Sequence, residues 1–165
     1  MENSKKTLEL RFERTIPATL NEVFDGWLYP KIPGNPWNAA DKFILDPKVD
    51  GLFYWALKAT SHYGRFTEIQ RPGRIQHTWV SPNTLGMEST VTITFKKQGE
   101  DTLMTLVHSD LPDTDGGRSH EKGWSSFLRI FLEQFGNGSR EKYRDRKSTR
   151  LNSSHEIPSR MPSSA

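Results

Sequence analysis

The chain has 165 residues, the length of a single domain, and contains no cysteine, which excludes disulfides, thiolate metal sites and a cysteine nucleophile. It carries 23 basic and 20 acidic residues, and no apolar run approaches the ~20 residues that a membrane span needs. No apolar stretch follows the polar residues 1–6, so a disordered start without a signal peptide is expected, with a cytoplasmic location as the default.

Residues 7–16 read as a strand, because Leu8, Leu10, Phe12 and Arg14 alternate with Glu9, Arg11, Glu13 and Thr15. Pro17 ends it. Residues 18–28 then predict a short helix: Leu20, Val23, Phe24, Trp27 and Leu28 recur at helical spacing, with Thr19 as a cap. Residues 29–38 are rich in Pro, Gly and Asn and predict a loop or one helical turn. Six strands follow, at 42–46, 52–59, 63–71, 74–80, 87–97 and 102–109. Turn-forming residues separate most of them, which implies an antiparallel meander. Residues 118–135 predict the last element, a long helix. Trp124, Phe127, Leu128, Phe131, Leu132 and Phe135 form one wide apolar stripe on it, and Gly136 is a natural stop.

Beyond Gly136 the composition changes. Residues 137–144 read as a linker or a truncated native C-terminus. Residues 145–165 read as a translated sequencing adapter and are expected to be disordered. Asp145 to His155 back-translates to one constant adapter block and Ser159 to Ala165 to another, with a variable index between them. Setting 145–165 aside leaves 19 basic and 18 acidic residues. No basic stripe remains, so nucleic-acid binding is not expected.

The domain at 7–136 is therefore α+β, a strand meander that needs one amphipathic helix to cover it. Phe53, Trp55, Trp79, Trp124, Phe127 and Phe131 are expected between sheet and helix. They fit a packed core or an apolar pocket of ~300–1,000 Å³. His77 shares a strand face with Ile75 and Trp79, and His108 shares one with Met104 and Leu106. Both histidines should face the concavity, as satisfied core residues or as polar handles for a ligand. His62, His77, His108 and His120 lack metal-ligand spacing, so no metal is expected. His120 is better explained by its place at the helix start. Gly116-Gly117 lacks the Lys-Ser/Thr of a phosphate loop and no Gly-x-Ser-x-Gly occurs, so neither a nucleotide cofactor nor an esterase site is expected.

Four segments resemble a known family. They are Phe12-Glu13-Arg14-Thr15-Ile16-Pro17-Ala18 leading to Val23-Phe24-Asp25-Gly26-Trp27, then Val49-Asp50-Gly51-Leu52-Phe53, then a central stretch, then an end stretch. The central stretch is Gly64-Arg65-Phe66-Thr67-Glu68-Ile69 with Arg71-Pro72-Gly73-Arg74-Ile75 and Thr78-Trp79. The end stretch is Leu106-Val107-His108-Ser109-Asp110-Leu111 with His120-Glu121-Lys122-Gly123-Trp124. Their order and spacing over residues 8–135 resemble the Hsp90-ATPase-activator-homologue (AHSA1-like) group of the SRPBCC, START or Bet v 1-like superfamily. The resemblance implies a helix-grip fold, in which a curved antiparallel sheet clasps a long C-terminal helix with a cavity between them. It implies a small soluble domain binding a hydrophobic or amphipathic small molecule; the sequence itself shows no catalytic constellation, so neither catalysis nor a cofactor is expected. The alternatives are a polyketide-cyclase-like enzyme using His77 and His108, and a chaperone-interaction module; a homodimer is compatible with each. Two departures stand out: His77 lies where the group often has an apolar residue, and residues 31–40 are rich in Pro and Asn for a second short helix.

Overall fold

The computed structural model describes residues 6–135, so the expectations for residues 1–5 and 136–165 lie outside the described residues. Strand β1 (Thr7–Ile16) is followed by α1 (Leu20–Leu28) and a 3₁₀ turn (Pro36–Ala39). The strands β2 (Lys42–Leu45), β3 (Leu52–Leu57), β4 (Thr60–Gln70), β5 (Arg74–Trp79), β6 (Ser89–Gln98) and β7 (Asp101–Pro112) come next. A second 3₁₀ turn (Pro82–Thr84) separates β5 from β6, and α2 (Asp115–Arg118) leads into α3 (His120–Phe135). All strand pairs are antiparallel, in one seven-stranded sheet of order β1-β7-β6-β5-β4-β3-β2. This is the helix-grip α+β architecture, with β1 and β2 at the two edges.

Thr19 caps α1 as its position predicts. Its hydroxyl accepts the Glu22 N–H at 3.3 Å, and the Glu22 carboxylate accepts the Thr19 N–H at 2.7 Å. The buried face of α1, Val23, Phe24, Trp27 and Leu28, packs toward sheet and α3. Phe24 meets Phe95 edge-on at 5.5 Å, and Trp27 meets Phe131 at 5.1 Å. α1 approaches α3 at Gly26, where a Cβ would stand 3.0 Å from the Phe135 ring.

Several expected boundaries move; β6 starts at Ser89 rather than 87, and β7 runs on to Pro112 rather than ending at 109. β3 and β4 are joined by a two-residue turn, Lys58-Ala59, both with positive φ, so β4 starts at Thr60 rather than at 63. The long final helix is preceded by the short α2, whose Thr114 cap accepts the Gly117 N–H. The core runs continuously between sheet, α1 and α3, and includes Trp37 from the 3₁₀ turn in the Pro/Asn-rich segment.

Candidate functional site

The inward faces of β3, β4, β5 and β7 and the apolar stripe of α3 meet in an aromatic and imidazole cluster. Parity places Phe53 and Trp55 inward on β3, His77 and Trp79 inward on β5, and His108 inward on β7; all five are buried. Gly64 on β4 makes room for Phe53, since a Cβ there would lie 2.2 Å from the Phe53 ring and from the Thr78 carbonyl. Trp79 is central, with ring distances of 5.4 Å to Trp124, 6.1 Å to Trp55 and 4.8 Å to His62. Trp55 reaches α3 through an edge-on contact with Phe127 at 5.4 Å.

Two spaces adjoin this cluster. The inner one, lined by Trp27, Pro36, Trp37, Trp55, His77, Trp79, Trp124 and Phe127, is about 20 Å³, room for one water. The outer one opens at the mouth between the β3–β4 hairpin and the start of α3, and measures about 260 Å³. Trp55, Trp79, Trp124 and Phe127 border both spaces, so these four rings form the wall between them. Lys58, Thr60, His62, Asn83, Ser119 and His120 supply the polar rim of the mouth.

The sequence-selected residues divide accordingly. Trp55, His77, Trp79, Trp124 and Phe127 line one or both spaces. Phe53, His108 and Phe131 lie behind them: Phe53 packs on Trp37 and His77 at 5.0 Å, and Phe131 packs between Trp27 and Phe135. Three contributors escape a reading of the sequence. Trp37 fills the inner space from a segment read as loop, although Asn35-Pro36 is a turn-start signal. Asn35 accepts the Trp37 N–H at 2.8 Å and donates to the Gly26 and Trp27 carbonyls, locking that turn onto α1. His62 is brought opposite Trp55 by the Lys58-Ala59 turn. His120 is more than helix-start chemistry, because its ring lies 5.0 Å from that of His108.

Hydrogen-bond partners fix the imidazole tautomers. The Trp124 indole N–H donates to His108 Nδ1 at 2.9 Å, so the neutral ring carries its proton on Nε2 and donates to Ser89 Oγ at 2.8 Å. Ser89 in turn donates to the Trp79 carbonyl at 2.7 Å. The Trp79 indole donates to His120 Nε2 at 3.2 Å, and His120 Nδ1 donates to the Gly117 and Gly116 carbonyls. His62 Nδ1 donates to the Trp55 carbonyl and His77 Nδ1 to the Thr78 carbonyl, which leaves each Nε2 as an acceptor. Burial holds all four imidazoles below their ordinary range. His77 is lowered to about 4, the Thr78 carbonyl partly opposing, and His108 to about 2, where the nearby His120 and His77 add to burial. His62 and His120 shift the same way, with carbonyl hydrogen bonds partly opposing.

No carboxylate lines either space, so no acidic group orients or charges these imidazoles there. Among the described residues no group of three or more His, Asp or Glu is arranged to hold a metal, and no helix is long and apolar enough to cross a membrane. Trp37 Nε1 is the one buried side-chain nitrogen or oxygen among the described residues that lacks a hydrogen-bond partner, and Trp37 borders the inner space.

The fold recurs in solved structures. An HSP90 activator from Plasmodium falciparum superposes with a TM-score of 0.63 at 22% identity, over 73% of this chain and 91% of that one. The Aha1 dimer protein from Colwellia psychrerythraea gives 0.66 at 11% identity, over 79% and 98%. DynU16, a protein of the dynemicin biosynthetic locus, gives 0.67 at 15% identity over 80% of this chain; the match spans only 48% of DynU16. No curated protein matches the chain by sequence. The family model described as "Activator of Hsp90 ATPase homolog 1-like protein" matches residues 17–136, and the chain belongs to that family, within the Bet v 1-like fold.

Proposed function

We propose that the domain binds an amphipathic small molecule at the mouth of the grip, its apolar body against Trp55, Trp79, Trp124 and Phe127. The observation that carries this reading is the open space of about 260 Å³ faced by these rings and rimmed by Lys58, His62, Asn83, Ser119 and His120. Ligand sites combine an apolar wall with a few polar groups that fix orientation. Lys58 suits an anionic or carbonyl group on the ligand, and His62 Nε2 suits a hydroxyl. Burying about 200–300 Å² of apolar ligand surface contributes roughly 5–8 kcal/mol before ordering costs, which supports micromolar binding at best. Two neutral imidazoles with open acceptors, at His62 and His77, are the features that favour a second reading, an acid–base enzyme. His108 is unsuited to that role, because both its ring nitrogens are engaged.

The test is native mass spectrometry of the chain purified without detergent, followed by titration with aromatic carboxylates and phenols read by tryptophan quenching. A small apolar adduct, or saturable quenching that weakens in Trp55→Ala and Lys58→Ala, is the expected result. A bare polypeptide mass with no saturable quenching across the panel overturns the reading.

A further inference from the structure

The two sheet edges differ in character. The β1 edge is ten residues long, interrupted by a bulge between Leu8 and Leu10, and carries Glu9, Arg11, Glu13 and Arg14. Charge and bulges are what keep an edge from pairing. The β2 edge is short, with Phe43, Ile44 and Leu45 between Lys42 and Asp46.

Register and hydrogen-bond parity decide what β2 can accept. On its far side, β3 bonds to β4 through its odd-numbered residues, as the Phe66 N–H donating to the Gly51 carbonyl shows for that ladder. Its even-numbered residues therefore turn to β2, and Asp46 N–H donates to the Leu52 carbonyl. Lys42, Ile44 and Asp46 thus point their backbone groups at β3, while Phe43 and Leu45 turn theirs to the open edge.

We propose that β2 pairs antiparallel with β2 of a second copy of this chain, about a two-fold axis through Ile44. In this register Phe43 and Leu45 of each copy exchange backbone hydrogen bonds with Leu45 and Phe43 of the other, and all the outward groups of both residues are used. Ile44 lies opposite its own copy, and Lys42 lies opposite Asp46 of the other chain, twice by symmetry. Facing residues of such non-hydrogen-bonded pairs come within ~4.5 Å at Cα, close enough for ion pairing. The neighbouring registers fail on both counts. Centring on Leu45 requires an N–H from Pro47, which has none, and sets Lys42 against Lys48. Centring on Phe43 requires the Asp41 N–H, which already donates to the Ala56 carbonyl, and leaves Lys42 facing Ile44.

The outer face of the sheet agrees. Ile44 is 62% exposed and Tyr63 51% exposed. Ile44 pairs in register with Tyr54, and Tyr54 with Tyr63, whose rings are 5.6 Å apart. Two-fold pairing joins this row to its copy, with Ile44 against Ile44 at the centre. An interface resting on one short strand belongs to the small, transient class, so the dimer is concentration-dependent.

The test is sedimentation of the full chain from 5 to 500 μM (on the order of the range for transient pairs), with backbone hydrogen exchange followed by NMR. A monomer–dimer equilibrium is expected, with Phe43 and Leu45 amides exchanging more slowly as concentration rises. Lys42→Asp or Asp46→Lys alone places like charges together twice and weakens the dimer by about tenfold, while the double variant restores it. Lys42→Asp keeps the melting temperature of the parent because its position is exposed, and Asp46→Lys changes it little because the ion pair it loses, Asp46 with Lys48 at 3.8 Å, is itself exposed. A monomer throughout the range overturns the proposal, as does a dimer that ignores both single reversals or that lacks protection at Phe43 and Leu45.

Discussion

His108 shows how a single side chain ties the helix layer of this fold to three strands of its sheet. Its Nδ1 accepts from Trp124 on α3, and its Nε2 donates to Ser89 on β6, which donates to the backbone of β5. The chain of donors has one polarity, and it works only while the imidazole is neutral. Trp124→Phe removes the indole N–H and strands a buried acceptor, so a loss of about 1–3 kcal/mol is expected in urea unfolding, mostly from the unpaired nitrogen. The same neutrality sets an acid limit. Each of His62, His77, His108 and His120 has a folded pKa below its unfolded value, so between the two the unfolded chain binds more protons. Stability is then full above about pH 6.5 and falls as pH drops below it, by roughly 1.4 kcal/mol per pH unit for each histidine that stays neutral in the fold. For His77 this loss continues down to about pH 4, where its folded form protonates. Between pH 6 and 5, above the ordinary carboxylate range, the slope belongs to the histidines. His77→Leu should lessen the slope by one histidine's share, leaving those of His62, His108 and His120, and equal stability of the parent at pH 6.5 and 5 would sink this account.

At the scale of elements, alternation and helical spacing were enough to place every strand and both main helices, because each has one buried face. Val91, Ile93 and Phe95 are buried on β6 as their alternation requires, and Trp124, Leu128, Phe131 and Phe135 are buried on α3. What pattern could not show was turn geometry. The Lys58-Ala59 turn has two positive φ values without the Asn-Gly usual at such a turn, so nothing in the local sequence signals that β4 begins at Thr60 and carries His62. Trp37 was illegible for a related reason: its burial comes from Asn35 fastening the loop to α1, a tertiary bond with no periodic trace. The site was therefore half legible. Inward residues of the recognised strands and of the α3 stripe are legible; Trp37 and His62, which turns bring into place, are not, and neither is His120, whose position at the start of α3 points only to helix-entry chemistry. The glycine beneath Phe53 tests the element packing. Gly64→Ala would drive a methyl group into the Phe53 ring and the Thr78 carbonyl, one of them backbone and unable to yield. A loss of about 1–3 kcal/mol and a lower melting temperature are expected; an unchanged melting temperature would show that β4 can slide away from β3.

For the whole molecule the question is whether the grip is closed or merely occupied. A sheet that clasps a helix could hold a ligand of several hundred Å³, yet here the inner space is about 20 Å³, and Trp37 is one of the large rings that close around it, edge-on to Phe53. Trp37 is both the plug and the residue whose buried N–H lacks a partner. Two substitutions separate those properties. Trp37→Phe removes the unpaired donor and keeps most of the ring, so stability should change by less than about 1 kcal/mol, well short of what losing a made hydrogen bond costs. Trp37→Ala removes the plug, and a loss of about 3–5 kcal/mol is expected. The Ala variant also decides where an apolar ligand rests. The mouth is lined by Trp55, Trp79, Trp124 and Phe127 and not by Trp37. A ligand confined to the mouth should therefore bind the Ala variant as it binds the parent, whereas a ligand that passes the aromatic wall should bind the Ala variant more tightly. Calorimetric titration of both proteins with one aromatic carboxylate measures the difference. Unchanged affinity is the outcome the mouth site requires, and a gain of tenfold or more, about 1.4 kcal/mol, would move the site inward to the space that Trp37 now fills.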